Sequence, residues 1–164
     1  MAKSQFEYVK QFEMDDRILP QTFLVVRIDG EAFTKFTSAH SFEKPNDRRA
    51  LLLANSCAMH VAKHFGDVVL CFGQSDEYSF VLKRHSKLFG RRSSKIATQF
   101  VSLFTANYVF QWSDFFPDVP LQYAPSFDAR VVAYPTLKTL RDYLSWRQVR
   151  SLFGIYDLAL QRMF

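Results

Sequence analysis

TFLVVRIDGEAF, residues 22–33, decides the fold. Its first seven residues, TFLVVRI, form a mostly apolar run rich in β-branched and aromatic side chains, the composition of a buried strand. The strand is expected to end at Asp29-Gly30, a dipeptide with turn chemistry. A short apolar turn, Ala32-Phe33, follows. The segment thus delivers a carboxylate, and beside it a residue without Cβ, to the carboxyl end of a buried strand.

Working outward, residues 4–16 place Phe6, Val9 and Phe12 at helical spacing among charges and predict a short amphipathic helix. Asn46-Asp47 offers the cap of a long helix that carries Ala50, Ala54, Cys57, Ala58, Val61 and Phe65 at three- and four-residue steps and stops at Gly66. DVVLCF (67–72) reads as a second strand, Gly73 to Glu77 as a hairpin connection, and YSFVLK (78–83) as the returning third strand. A basic stretch leads to Ser93-Ser94, which are expected to cap a helix through about Tyr108. ARVVAY (129–134) is the fourth strand, Pro135 stops it, and Thr136 starts a last helix to about Gln148. The order helix–βαββαβ–helix is that of an α+β, ferredoxin-like sheet with helices packed on one face.

At 164 residues the chain fits one domain, and its 18 Phe and 7 Tyr can fill a core, which argues against disorder. A net charge of +5 favours an anionic partner such as RNA or a nucleotide, although such a balance is common on surfaces. Cys57 and Cys71 form neither a C-x-x-C pair nor a zinc spacing and read as reduced core residues. The N-terminus is neither a signal peptide nor an acid-poor transit peptide, and no run approaches a membrane span. The expected setting is cytoplasmic or nuclear, with an internal mitochondrial signal left open.

In a split βαβ sheet the first two strands are parallel with the third between them. The end of the first strand and the tip of the hairpin then share one edge, which brings Asp29 and Asp76 together across the sequence. Two carboxylates and a main-chain carbonyl, for which Gly30 is suited, supply the oxygen donors that a pair of Mg²⁺ ions needs. The backbone N–H groups after Gly30 are placed to cradle phosphates. Against this stands the ordinary reading, in which Asp-Gly and Ser-Asp-Glu are common turn signals. His60 and His64, at i and i+4, lack a third ligand and are expected to be exposed helix residues. Glu77, next to Asp76 in extended chain, points to the opposite face and is expected to orient the hairpin. Trp112, Phe115 and Phe116 are expected to cover the core or a subunit interface rather than stack on RNA.

VVRIDGEAFTKF (25–36), KPNDRRAL (44–51), FGQSDEYSFVLKR (72–84), FDARVVAYP (127–135) and DYLSWRQ (142–148), in this order, resemble tRNA-histidine guanylyltransferases of the eukaryotic type. The resemblance covers about residues 1–148 and implies a polymerase palm-like catalytic domain there. It implies an enzyme that adds a guanylate to the 5′ end of tRNA-His, in the 3′-to-5′ sense. ATP activates the tRNA 5′-monophosphate as an adenylate, the 3′-hydroxyl of GTP displaces AMP, and pyrophosphate is removed. Carried over by position, Asp29, the Gly30 carbonyl and Asp76 hold two Mg²⁺ ions. Gly30, Glu31, Ala32, Phe33, Thr34 and Ser75 contact the triphosphate, and Lys44 and Asp47 lie near the activating nucleotide. Arg92 and Lys95 are candidates for a second triphosphate, or else part of a solvated basic face. The implied partners are tRNA-His, GTP, ATP and further copies of the chain, with no membrane.

Two departures stand out. The family usually carries His where this chain has Thr34. It also continues after SWRQ with an Asp-x-His-x-Asn-Asn-x-Tyr-type segment, whereas residues 149–164, VRSLFGIYDLALQRMF with its final residues at rough helical period, do not match. A second expectation is therefore a catalytically deficient, truncated isoform that binds nucleotide or a full-length partner. A palm-type nucleotide cyclase is the third.

Overall fold

A computed structural model describes residues 4–149; the tail from 150 onward lies outside the described residues. Four strands form one antiparallel sheet in the order β2-β3-β1-β4, with β1 Phe23–Glu31, β2 Val68–Gln74, β3 Glu77–Leu82 and β4 Ser126–Tyr134. β1 and β2 both run antiparallel to β3, so they are parallel to each other with β3 between them. This is the expected ferredoxin-like topology.

The helices are α1 Phe33–Ala39, α2 Arg48–His64, α3 Ser93–Phe110, α4 Trp112–Phe115 and α5 Leu137–Val149. α2 and α3 lie on one face, where Leu24, Val26 and Ile28 of β1 meet Leu53, Cys57, Val61, Phe100 and Phe104. Alternation along β1 sends Val25 to the other face, against Leu140 and Tyr143 of α5. The terminal helix thus adds a layer that the one-face expectation left out. Val25 and Val81 are apolar on the face away from α2 and α3, and burying them takes a second cover. The Tyr143 hydroxyl sits 2.6 Å from the Ser79 hydroxyl, and Arg147 pairs with Glu77. Trp112 and Phe116 belong to the main core, as expected.

Several boundaries move for physical reasons. β1 does not end at Asp29-Gly30 but runs on to Glu31, because β4 is long enough to pair with it as far as Ser126. The N-terminal segment is a 3-10 turn, Glu7–Phe12, that buries none of its residues, so the apolar spacing finds no partner among the described residues. α3 has no side-chain cap from Ser93 or Ser94. Asp16 reaches across the sequence and accepts from the Ser94 N–H instead. His40, which carried no signal in the sequence, is fully buried. Its Nδ1 lies 2.8 Å from the Phe36 carbonyl and its Nε2 accepts from the Gln122 N–H at 3.0 Å, which fastens the loop before β4 to α1.

Candidate functional site

The site is built where the end of β1 meets the β2–β3 hairpin. Gln74 pairs with Glu77, so Ser75 and Asp76 alone make the turn, and Ser75 takes a left-handed backbone (φ 56°) to close it. Asp76 lies against Gly30. A Cβ on Gly30 would stand 2.9 Å from the Asp76 Cβ and 2.7 Å from the Phe33 ring. Only a residue without a side chain lets hairpin and strand approach so closely.

Burial pushes the Asp76 carboxyl above its ordinary value, opposed by the hydrogen bond with Ser75, while the negative charges of Asp29 and Glu77 push the same way as burial. Carboxylates held this close repel, and a cation would relieve them. The donors are all oxygen, which suits Mg²⁺. Among the described residues no three His, Cys, Asp or Glu side chains gather into a metal cluster. The candidate set is therefore two carboxylates completed by the Gly30 carbonyl and by the ligand's own oxygens.

A cleft of about 230 Å³ opens beside this junction. Phe33, Thr34, Lys44, Asp47, Ser75 and Asp76 line it, with Thr37, Phe42 and Tyr108. Six positions singled out in the sequence, from three separate segments, thus meet around one cavity. Ala32, in the left-handed region at φ 50°, turns the chain into α1, whose first residues Phe33 and Thr34 line the cleft. Phe33 contributes backbone and ring edge only, since its ring stacks on Phe36 at 5.2 Å and is otherwise buried. Glu31 and Thr34 are exposed.

Three of the expected site residues have other partners or another place. Asp47 lines the cleft, but its carboxylate is already engaged. It accepts from the Glu43 N–H at 3.0 Å, from the Arg49 N–H at 2.9 Å and from the Arg49 guanidinium at 2.7 Å. Burial alone would raise its pKa, yet these donors pull it down to about 2. Its evident work is to cap α2 and close the loop that carries Lys44. Arg92 and Lys95 do not reach the cleft within one chain. They stand at the start of α3, whose Tyr108 lines the cleft about 20–24 Å away at ~1.5 Å per residue. Arg92 bridges to Arg17, and Lys95 lies over the Phe89 ring at 5.4 Å. His60 bonds to the Ser56 carbonyl at 2.9 Å and His64 packs edge-on to Phe65, so the two make no zinc site.

Sequence reasoning missed two basic residues near Asp29. Arg27 precedes it by two positions on the same face of β1, and Arg130 stands opposite Arg27 on β4. The signal was present in the mirrored strings Arg-Ile-Asp (27–29) and Asp-Ala-Arg (128–130), which antiparallel pairing sets like against like.

The family model of tRNAHis guanylyltransferase (Thg1) matches residues 6–135. A probable tRNA(His) guanylyltransferase of Bos taurus is 57% identical over 148 residues, which are 90% of this chain and 50% of that protein. The tRNA(His) guanylyltransferase of Schizosaccharomyces pombe is 56% identical over 149 residues, 91% of this chain and 57% of that protein. The crystal structure of the Saccharomyces cerevisiae tRNA(His) guanylyltransferase superposes with a TM-score of 0.85 at 53% identity, covering 89% of this chain and 65% of that one. A bacterial Thg1-like protein in complex with ATP superposes with a TM-score of 0.79 at 27% identity, over 90% of this chain and 65% of that one. The chain spans 50% and 57% of the two curated relatives, so it corresponds to part of their length. A family match over most of the chain, joined to this identity, makes the chain a member of the tRNA(His) guanylyltransferase family.

Proposed function

We propose that this chain carries the nucleotide-binding and metal-binding centre of a nucleotidyltransferase that adds a guanylate to the 5′ end of tRNA-His. The observation that carries the reading is the contact of Asp76 with Gly30 at the mouth of the cleft, within the electrostatic reach of Asp29. The complexes of Thg1-like proteins with ATP and with GTP support nucleotides as its substrates.

In this reading Asp29 and Asp76 offer carboxylate oxygens from two elements, and Gly30 offers its carbonyl. Two Mg²⁺ ions held there by Asp29, Asp76 and the Gly30 carbonyl would supply positive charge against the charge developing on the transferred group. Lys44 places a cation at the cleft wall, and Ser75 and Thr34 place hydroxyls there. Phe42 and Tyr108 supply apolar surface for a base. Two displacements follow. An oxygen of the tRNA 5′-phosphate attacks the α-phosphorus of ATP, which forms a phosphoanhydride and releases pyrophosphate. The 3′-hydroxyl of GTP then attacks the tRNA 5′-phosphorus, and AMP leaves. Removal of pyrophosphate from the added GTP finishes the product. Self-association belongs to the same proposal and is supported by the exposed Phe6, Phe12 and Met14. So does a cytoplasmic or nuclear setting.

The test incubates the chain with Mg²⁺, ATP, labelled GTP and 5′-monophosphorylated tRNA-His, beside an Asp29→Ala/Asp76→Ala control. A guanylate at the 5′ end that the control lacks is the expected result. Adenylated tRNA without guanylate would confine the chain to the first step. A folded chain that forms neither product and binds no nucleotide would overturn the reading.

A further inference from the structure

The buried tyrosines among the described residues are Tyr78, Tyr108 and Tyr143. Two of them use their hydroxyls. Tyr78 donates to the Asn55 side-chain oxygen at 2.7 Å, and the Tyr143 hydroxyl sits 2.6 Å from that of Ser79. Tyr108 is 1% exposed, yet no described residue hydrogen-bonds its hydroxyl. Buried polar groups are rarely left without a partner, and a buried tyrosine usually finds one. The sealed side-chain atoms that lack a partner among the described residues are the Nε groups of Arg27 and Arg147, not the Tyr108 oxygen. That oxygen therefore keeps an opening, and the cleft that Tyr108 lines is the opening.

Packing gives the ring no freedom to point elsewhere. Phe33 and Phe36 meet it edge-on at 6.3 and 6.2 Å, and Trp112 and Phe127 lie at 6.1 and 5.4 Å. Burial raises the Tyr108 pKa far above the ordinary tyrosine range, with Cys57, Tyr78, Asp76 and Asp47 acting in the same sense. The hydroxyl thus keeps its proton and offers it. Asp76 and Asp47 both act on it, which sets it between the hairpin and the start of α2. The wall beside it is aromatic, with Phe33 and Phe42 edge-on at 6.4 Å. The ammonium of Lys44 and the hydroxyl of Ser75 come instead from the loop before α2 and from the hairpin. A phosphate at the phenol would have apolar rings and two carboxylates for neighbours. A sugar or base has neutral acceptors and apolar faces, and suits both.

We propose that the Tyr108 hydroxyl donates a hydrogen bond to the nucleoside part of the nucleotide in the cleft and fixes how that part lies. This rests on the reading of the cleft as the nucleotide site. The nucleotide is then held at two points of different chemistry. Its phosphates meet the hairpin, the metal carboxylates and Lys44. Its neutral end meets one donor set in an aromatic wall, on a ring that the core holds still before the ligand arrives. Such a donor adds orientation at little entropic cost.

The test measures Mg²⁺-dependent binding of ATP, GTP and inorganic tripolyphosphate to the full chain and to Tyr108→Phe. The variant keeps the ring and removes one oxygen that has no protein partner, so the Tm of the free chain should not fall. ATP and GTP should bind about three- to tenfold more weakly, the worth of one neutral hydrogen bond, and tripolyphosphate should stay within about twofold. Unchanged ATP and GTP affinity in the folded variant overturns the proposal and leaves a water as the partner of the phenol. An equal loss for tripolyphosphate overturns it as well, because the hydroxyl would then hold a phosphate. Should Tyr108→Phe fail to fold, the ultraviolet difference spectrum of the wild-type chain decides. A phenol that begins to donate absorbs at longer wavelength, so ATP should shift the tyrosine band and tripolyphosphate should not. No shift with ATP, or the same shift with both, overturns the proposal. A wild-type chain that binds none of the three ligands removes the cleft reading and the proposal with it, whereas binding that the variant leaves untouched removes only the role of the hydroxyl.

Discussion

A single methyl group probes the junction of strand and hairpin. In Gly30→Ala the new Cβ would meet Asp76 and the buried Phe33 ring inside 3.0 Å, so one of them must move. Overpacking of this kind costs about 1–3 kcal/mol. The expected outcome is a urea midpoint lowered by that amount and, if Asp76 is the group that moves and holds Mg²⁺ as proposed, a larger loss of Mg²⁺-dependent nucleotide binding. Equal binding by the variant would show that the close approach is only a packing feature. Asp76 itself has a sign that can be worked out. Its folded pKa lies above the ordinary 3.8 through burial and through Asp29 and Glu77. The folded chain then holds the proton more tightly than the unfolded chain. Its contribution to stability is complete below pH 3.8 and is lost as pH rises through the folded pKa. At neutral pH the charged carboxylate is a burden on the metal-free chain. Asp76→Asn should therefore raise the neutral-pH Tm without metal and abolish the rise in Tm on adding Mg²⁺. A Tm that falls without metal would contradict this sign.

At the scale of elements, α5 braces the hairpin from the face opposite the cleft. Arg147 holds Glu77, the residue after Asp76, and Tyr143 holds Ser79 two residues further along β3. Both members of the Arg147–Glu77 pair are largely buried, at 12% and 20% side-chain exposure. Removing one partner of such a pair leaves an uncompensated charge, which costs about 3 kcal/mol or more, whereas removing both restores much of the loss. Arg147→Met should destabilise the chain by that amount, and Arg147→Met/Glu77→Gln should recover most of it in urea titrations. Failure of the double variant to recover would mean that the helix, not the pair, carries the contact. The expectation that Glu77 orients the hairpin came from alternation alone, and alternation served well wherever one face was apolar. Pattern placed β1 and β3, whose apolar residues run almost without a break, and α2, whose buried residues recur at a period of 3.6. It failed at ends. The extension of β1 past Gly30 depends on the length of β4, and the cap of α3 comes from Asp16, so neither can be read from the local string.

Over the whole molecule, legibility follows the same division between pattern and placement. That the end of β1 and the β2–β3 hairpin share one edge, with Asp29 acting electrostatically on Asp76, was readable because topology forces the first strand and the hairpin together. That the Tyr108 end of α3, and not the start that carries Arg92 and Lys95, borders the cleft was not readable, since charge says nothing of which end of a helix a cavity meets. The pairing of Arg27 with Arg130 needed the register, which no single strand contains. The cleft draws on α1, the loop before α2, the hairpin and α3, so a ligand there must tie four segments that contact one another only in the folded state. Binding to the folded chain alone stabilises it by RT ln(1 + [L]/Kd), about 2.7 kcal/mol at a hundredfold excess over Kd. For a chain of this size that corresponds to a Tm rise of roughly 5–10 °C. Mg²⁺ with ATP or GTP should produce the rise. EDTA should cancel it, because the phosphates would then face Asp29 and Asp76 without a cation between them. Lys44→Met should shrink the rise by removing a charge from the cleft wall, without lowering the Tm of the free chain, since Lys44 is exposed. Arg92→Gln should leave it intact, because that residue stands away from the cleft. A rise that survives EDTA undiminished would place the nucleotide elsewhere on the molecule. One that Arg92→Gln abolishes would mean that α3's far end reaches a cleft through a second copy of the chain.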